Sequence, residues 1–319
     1  MDHRGRHGAA SIVAGGMENR TRPLISVVLP SHERMAMLRE AVESVRAQTY
    51  RHWQLIVVDD GSTDGGPAWV RSLGDERITV TAIPHSGRPA LVRNAGIARA
   101  KGDYIAFIDS DDRWRRDKLE LQVAHHLEPG GAAWSYTGRA IIDAAGTALP
   151  DSTFTPWRPV AGDIFRKLLL HEAMISLPTV MVRRQLLEHT GGFDESLSFS
   201  EDYDLWLRLA QLSPCGVLPP PLTEVRVHSS SATWDRPEVN ASFMQVYARV
   251  AAQSASRDVR RICRRQRSFY AVHLGRQYMR RGEFRDAAHA LWTALRGRPM
   301  YPPAWRSFIR LCLLRLGSR

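Results

Sequence analysis

At 319 residues, with 44% hydrophobic and 24% charged side chains, the chain is large enough for a sizeable core and an appendage. No apolar run approaches the ~20 residues that span a bilayer, which excludes a hydropathy-defined transmembrane helix. The net charge of +11 is unevenly placed: residues 257–319 hold 16 Arg, no Lys and 3 acids, a balance of +13, which leaves 1–256 at −2 and argues against a nucleic-acid grip along the main body.

Residues 1–23, rich in Gly, Arg and His without an apolar core, are expected to be a disordered leader and not a signal peptide. Leu24–Leu29 is a β-rich run halted by Pro30 and predicts a buried first strand. Glu33–Gln48 places Met35, Leu38, Ala41, Val42 and Val45 at helical spacing. Trp53–Val58 is a second strand ending in Asp59-Asp60-Gly61-Ser62-Thr63-Asp64, where Thr63 or Asp64 can cap a helix reaching Leu73. Arg77–Ile83 alternates as a third strand, Gly87–Ala100 is a helix carrying Arg93 and Asn94, and Tyr104–Asp109 is a fourth strand. Trp114–Leu127 then predicts a helix, with strands at 133–136 and 179–182. A turn follows at Gly191-Gly192-Phe193-Asp194-Glu195, then a helix capped by Ser200-Glu201-Asp202. Pro219-Pro220-Pro221 introduces a short strand from Leu222 to Val227 that ends at His228.

Strands alternating with helices predict an α/β fold, a Rossmann-like open and mostly parallel sheet that takes ligands at the carboxyl ends of its strands. Both acidic clusters, Asp59/Asp60 and Asp109/Asp111/Asp112, fall at that edge. Clustered carboxylates repel and raise one another's pKa, so the second cluster asks for a cation, and a hard divalent metal carrying a phosphate suits it. Helix capping accounts for one of those three carboxylates and leaves two unexplained. The dinucleotide pattern G-x-G-x-x-G and the phosphate loop G-x-x-x-x-G-K-[ST] are both missing. Cys215, Cys263 and Cys312 fit no metal-binding spacing and are expected as unpaired thiols in a reducing compartment.

Six blocks in order carry a resemblance: 26–32 around Pro30-Ser31-His32, 57–64 around Asp59-Asp60-Gly61, Arg93-Asn94-Ala95-Gly96, 108–114 around Asp109-Ser110-Asp111-Asp112, Gly191–Glu195, and Glu201-Asp202-Tyr203-Asp204-Leu205-Trp206. Over 24–232 the chain resembles a family 2 glycosyltransferase, the inverting A-type nucleotide-sugar fold. The resemblance implies that Pro30 and His32 border the base and ribose and that Asp60 accepts a hydrogen bond from the base. It places Arg93 near the donor phosphates, Asp111 toward the ribose, and Asp112 with Asp109 on Mn²⁺ or Mg²⁺. It makes Asp202 the general base, sets Glu201 beside it among the substrate-binding residues, and lets His228 reach the diphosphate or metal. His32 and Glu33 stand where the family more often has Tyr and Asn.

The expected activity is sugar transfer from a nucleoside-diphosphate sugar to a hydroxyl of a glycan or lipid-linked acceptor in surface polysaccharide biosynthesis. UDP leads on family frequency, with dTDP and GDP open. The alternatives weighed are a metal-dependent sugar nucleotidyltransferase and a non-catalytic sugar-nucleotide-binding scaffold. Within the catalytic domain, 24–130 is expected to bind the donor and 131–239 the acceptor. Residues 240–319 are expected to form a basic helical tail, with 268–299 resembling one tetratricopeptide unit built on Ala271, Leu274, Gly275, Tyr278, Gly282, Ala287, Leu291, Ala294 and Pro299. One unit buries too little to stand alone. It is expected to pack on the catalytic domain or on the apolar, basic segment Trp305–Leu316, which can lie on an anionic membrane surface or serve as a terminal core helix. The chain is expected in the cytoplasm or peripherally on the inner face of the cell membrane.

Overall fold

The β-branched runs near the start of the chain pair edge to edge because most of them are apolar on both faces, as buried parallel strands must be. In the computed structural model, which describes residues 22–150, 157–227 and 236–316, four of them form a parallel set. These are β1 (Ile25–Ser31), β2 (Trp53–Asp59), β3 (Ile78–Ala82) and β4 (Tyr104–Phe107). The crossovers are α1 (Met35–Arg46), α2 (Gly66–Ser72) and α3 (Pro89–Ile97). Next come β5 (Arg113–Trp114), α4 (Lys118–Leu127), β6 (Trp134–Ile142), α5 (Phe165–Leu169), β7 (Val180–Arg183), α6 (Arg184–Thr190), α7 (Glu201–Leu212) and β8 (Cys215–Arg226). The eight strands form one sheet in the order β3-β2-β1-β4-β7-β6-β8-β5. Winding goes outward from β1 to β3 and returns beyond β1 to β4, so a topological switch point lies between β1 and β4.

Strand alternation divides the core. Leu55 and Val57 of β2 pack with Leu38, Ala41, Val42 and Val45 of α1 and with Leu119 and Val123 of α4. Ile56 and Val58 point to the other face and meet Val92 of α3. Full burial of a Val, Leu or Ile side chain contributes about 1.5–3 kcal/mol.

Two local expectations are corrected. Trp114 does not start a helix: Arg113 and Trp114 pair with Glu224 and Thr223 of β8, the Trp114 indole donates to Pro178 O at 2.8 Å, and α4 begins only at Lys118. The strand expected from Leu222 begins at Cys215 and contains the Pro triplet. Opposite the triplet, the ladder with β6 slips between Thr137 and Arg139, and a Cβ on Gly138 would lie 2.3 Å from Pro219 O. Proline cannot donate to a ladder, so a bulge is where a strand accommodates it. Helices α5 and α6 were not anticipated, being short and stabilised by tertiary contacts.

The described residues divide into two compact units: one drawn from those within 22–195 and 201–227, the other from 196–200 and 236–316. The second is helical, with α8 (Pro237–Gln253), α9 (Arg257–Arg280), α10 (Phe284–Gly297) and α11 (Pro302–Leu316). Ser256 caps α9 by accepting from Val259 N. The α9–α10 hairpin turns at Gly282, whose φ of +75° favours glycine. Gly275 lets the helices approach, since a Cβ there would meet Leu291 Cγ at 2.8 Å. Ala271, Ala287, Leu291 and Ala294 are buried with Ala304 and Leu311 of α11, so within this unit the hairpin does pack on the Trp305–Leu316 segment. The three cysteines are unpaired.

Candidate active site

The loops that leave β1, β2 and β3 are tied together at the carboxyl edge of the sheet. Asp60, 4% exposed, accepts from Ser86 N at 2.7 Å and Gly87 N at 3.0 Å, so both carboxylate oxygens hold the loop after β3. His32 and His85 stack, centroids 4.1 Å apart, and each brings Nδ1 to Asp60 O, at 2.9 and 3.0 Å. A carbonyl only accepts, so both rings donate from Nδ1. His32, Asp60 and His85 bring three ligand-type atoms within 4.8 Å of one another, the grouping of that kind found among the described residues. Glu33, at φ +46°, accepts from Thr63 N at 2.6 Å and so closes the β1 loop onto the β2 turn. Asp64 accepts from Gly66 N at the start of α2 and from Met35 N at the start of α1.

The Asp109–Asp112 turn follows β4. Asp112 is 3% exposed, and its Oδ1 accepts from Arg226 N at 2.8 Å. Burial pushes the Asp112 carboxyl well above its ordinary range, Asp109 and Asp111 push the same way, and Arg226 opposes them. Burial also raises Asp109; Arg93 opposes that shift and Asp111 adds to it. Asp111 pairs with Arg34. The Arg226 side chain, 1% exposed, donates to Asp111 O at 2.9 Å, Ala144 O at 2.9 Å and Glu40 at 2.6 Å, and so clamps the turn from beneath.

Arg93 joins this turn to α7. It lies in α3, 8% exposed, and donates to Asp109 Oδ1 at 2.8 Å and Glu201 Oε1 at 2.5 Å. Burial opposes its charge, but the two carboxylates outweigh burial and raise its pKa. Its neighbour Asn94 donates to Phe193 O at 2.8 Å and accepts from Phe193 N at 2.9 Å, which fixes the turn ahead of α7. Asp202, half-buried beside Glu201 in the first turn of α7, is pushed up to about 7, first by burial and then by Glu201, with Arg93 opposing. A carboxyl poised there is matched to exchanging a proton near neutrality.

Of the expected site residues, Arg93, Asp109, Asp111, Asp112, Glu201 and Asp202 are linked by contact or electrostatic interaction. Pro30, in β1 beside Val58, together with His32 and Asp60, forms the neighbouring β1–β2 edge. His228 lies outside the described residues. Sequence reasoning missed His85, Arg34, Arg226 and Glu40. The turn Pro84-His85-Ser86-Gly87 was a usable signal for His85, because it follows β3 at the same edge. Arg226 and Glu40 carried no signal, being 186 positions apart.

The model of the family "Glycosyl transferase family 2" matches residues 26–191, over half the chain. The glycosyltransferase TuaG of Bacillus subtilis (strain 168), named for teichuronic acid biosynthesis, is 35% identical over 191 residues, 59% of this chain and 72% of its own length. The Escherichia coli UDP-Glc:alpha-D-GlcNAc-diphosphoundecaprenol beta-1,3-glucosyltransferase WfgD is 31% identical over 186 residues, 58% of this chain and 69% of its own. Among solved structures, S. aureus TarS in complex with UDP-GlcNAc aligns with a TM-score of 0.66 at 19% identity, covering 90% of this chain and 88% of that one. The Pyrobaculum calidifontis mannosyltransferase PcManGT, in complex with GDP-Man and Mn²⁺, aligns at 0.56 and 19%, covering 98% and 86%. Those two likenesses establish the fold; the family match and the sequence relatives establish that this chain belongs to glycosyltransferase family 2 and is a glycosyltransferase.

Proposed function

We propose that the enzyme transfers a sugar, with inversion, from a nucleoside-diphosphate sugar to a hydroxyl of a glycan or lipid-linked acceptor in cell-surface polysaccharide assembly. The observation that carries this reading is the Arg93 bridge, because one buried cation holds the Asp109–Asp112 turn and the Glu201-Asp202 turn in a single site. UDP is the first candidate nucleotide, supported by the UDP-sugar in the name of WfgD and the UDP-GlcNAc bound to TarS.

In this reading Asp202 takes the proton of the acceptor hydroxyl, and the oxygen attacks the anomeric carbon from the face opposite the departing nucleotide. Pro30, His32 and Asp60 border the base and ribose, with Asp111 toward the ribose. Arg93 and Glu201 hold the two halves of the site in register. Asp112 and Asp109 fit a divalent cation: they are hard oxygen donors, and both are raised by burial and by repulsion from neighbouring carboxylates that a cation would relieve. Mn²⁺ or Mg²⁺ bound there would supply Lewis-acid stabilisation of the leaving diphosphate.

The test is nucleoside-diphosphate release across a donor panel, with and without Mn²⁺. Asp202→Asn should reduce transfer by about 10²-fold or more while donor binding persists. Asp112→Ala should lose the Mn²⁺-dependent part of donor binding. Undiminished turnover in Asp202→Asn would overturn the base assignment, and absence of release with every donor would favour a non-catalytic scaffold.

A further inference from the structure

Helix α11 is apolar on two opposite faces, and its own unit covers only one. Ala304, Ser307 and Leu311 turn inward and are at most 3% exposed. On the far side Trp305, Ile309 and Leu313 recur every four residues, 47%, 57% and 63% exposed, and Leu314 adds 41% on the flank. Met300, two residues before the helix, is 90% exposed. Contiguous exposed apolar side chains mark an interaction surface.

The charges around the stripe select the partner. Between Pro302 and Leu316 there are three arginines and no acid. Arg306 and Arg310 follow Trp305 and Ile309 by one residue, which lines them along one border of the stripe, and neither forms an ion pair among the described residues. The wider segment 257–319 carries +13. Trp305 binds its indole hydrogen internally, Nε1 to Pro299 O at 2.6 Å, while almost half of its surface faces out. Among the described residues no helix is long and apolar enough to cross a membrane.

We propose that α11 is a membrane-docking helix that lies flat in the interface of an anionic bilayer. Trp305, Ile309 and Leu313 enter the headgroup–acyl boundary, and Arg306 and Arg310 meet lipid phosphates. Apolar insertion and electrostatic attraction to anionic lipid together set the affinity of such helices. A second copy of the chain would also cover an apolar stripe, but juxtaposing two sets of arginines without acids opposes self-association.

The test is flotation of the full chain with vesicles of phosphatidylcholine, with and without phosphatidylglycerol, at low and high salt. Binding should require the anionic lipid and fall about tenfold or more at high salt. Ile309→Glu/Leu313→Glu and Arg306→Glu/Arg310→Glu should each lower vesicle binding about tenfold or more, whereas Arg306→Lys/Arg310→Lys should retain it. These sites are exposed, so circular dichroism and nucleoside-diphosphate release should match the parent, which separates the docking result from the catalytic one. Equal vesicle binding by the Glu variants overturns the proposal. So does a dimer seen by sedimentation that Ile309→Glu/Leu313→Glu dissociates without any vesicle binding by the parent.

Discussion

Asp202 and Lys118 are two half-buried or buried ionisable groups whose costs run in opposite directions with pH. Asp202 moves from an ordinary 3.8 to about 7 in the fold. In its proposed role as base it must be ionised, so turnover should rise with pH through about 7 and level off above it, as a pH–rate profile would show. Between those two values the unfolded chain has released a proton that the folded chain keeps, so stability is lost as pH rises from 3.8 to 7. Asp202→Asn should therefore gain on the order of 1 kcal/mol above pH 7, and nothing near pH 4, at the expense of activity. Lys118 is fully buried, and its Nζ sits 3.9 Å from the centre of the Trp114 ring with no hydrogen-bond partner. Burial drives its pKa well down, so the unfolded chain binds the extra proton and stability rises with pH below the ordinary lysine range. Lys118→Met should stabilise the fold by on the order of 1 kcal/mol at neutral pH, a gain that shrinks in alkali and is read as a rise in Tm across a thermal melt series.

At the scale of elements, the catalytic unit depends on irregularities as much as on regular strands. The slip between β6 and β8 leaves room for Pro219 and Pro220 and carries β8 on to Arg226, whose backbone and side chain hold Asp112 and Asp111. Gly138→Ala would set a Cβ 2.3 Å from Pro219 O, a contact that must be relieved by moving one strand. Such overpacking costs about 1–3 kcal/mol, and a displaced Arg226 should also weaken donor binding, measurable by calorimetry beside the melt. Helix α3 has the complementary role. Arg93 and Asn94 are adjacent, yet one reaches the Asp109 turn and Glu201 while the other reaches Phe193. A helix that carried only one of them would hold half of the site.

Across the catalytic unit as a whole, the site is assembled from the ends of β1, β2 and β4 and the start of α7, so a nucleotide that touches all of them should stabilise the fold by linkage. Nucleoside diphosphate with Mn²⁺ at a hundred times its dissociation constant should add about 2.7 kcal/mol, visible as a rise in Tm. Asp202→Asn should keep that rise, and Asp112→Ala should lose most of it. The parallel strands, the acidic edge and the order of the six blocks were legible in the sequence, because continuous apolar runs and turn chemistry are local properties that neighbouring residues set. The helical hairpin was legible for the same reason, through the spacing of Ala271, Gly275, Ala287 and Leu291. Partnerships between distant residues were not. The pairing of Arg113-Trp114 with β8, the His32–His85 stack and the bond from Arg226 to Glu40 join positions 53 to 186 residues apart. No local pattern encodes which of many arginines or histidines will meet. The sequence by itself determined which chemical groups stand at the sheet's carboxyl edge. Only the tertiary structure decided that Arg93 holds Asp109 and Glu201 at once, because a buried cation is placed by the packing of whole elements and not by its neighbours in the chain.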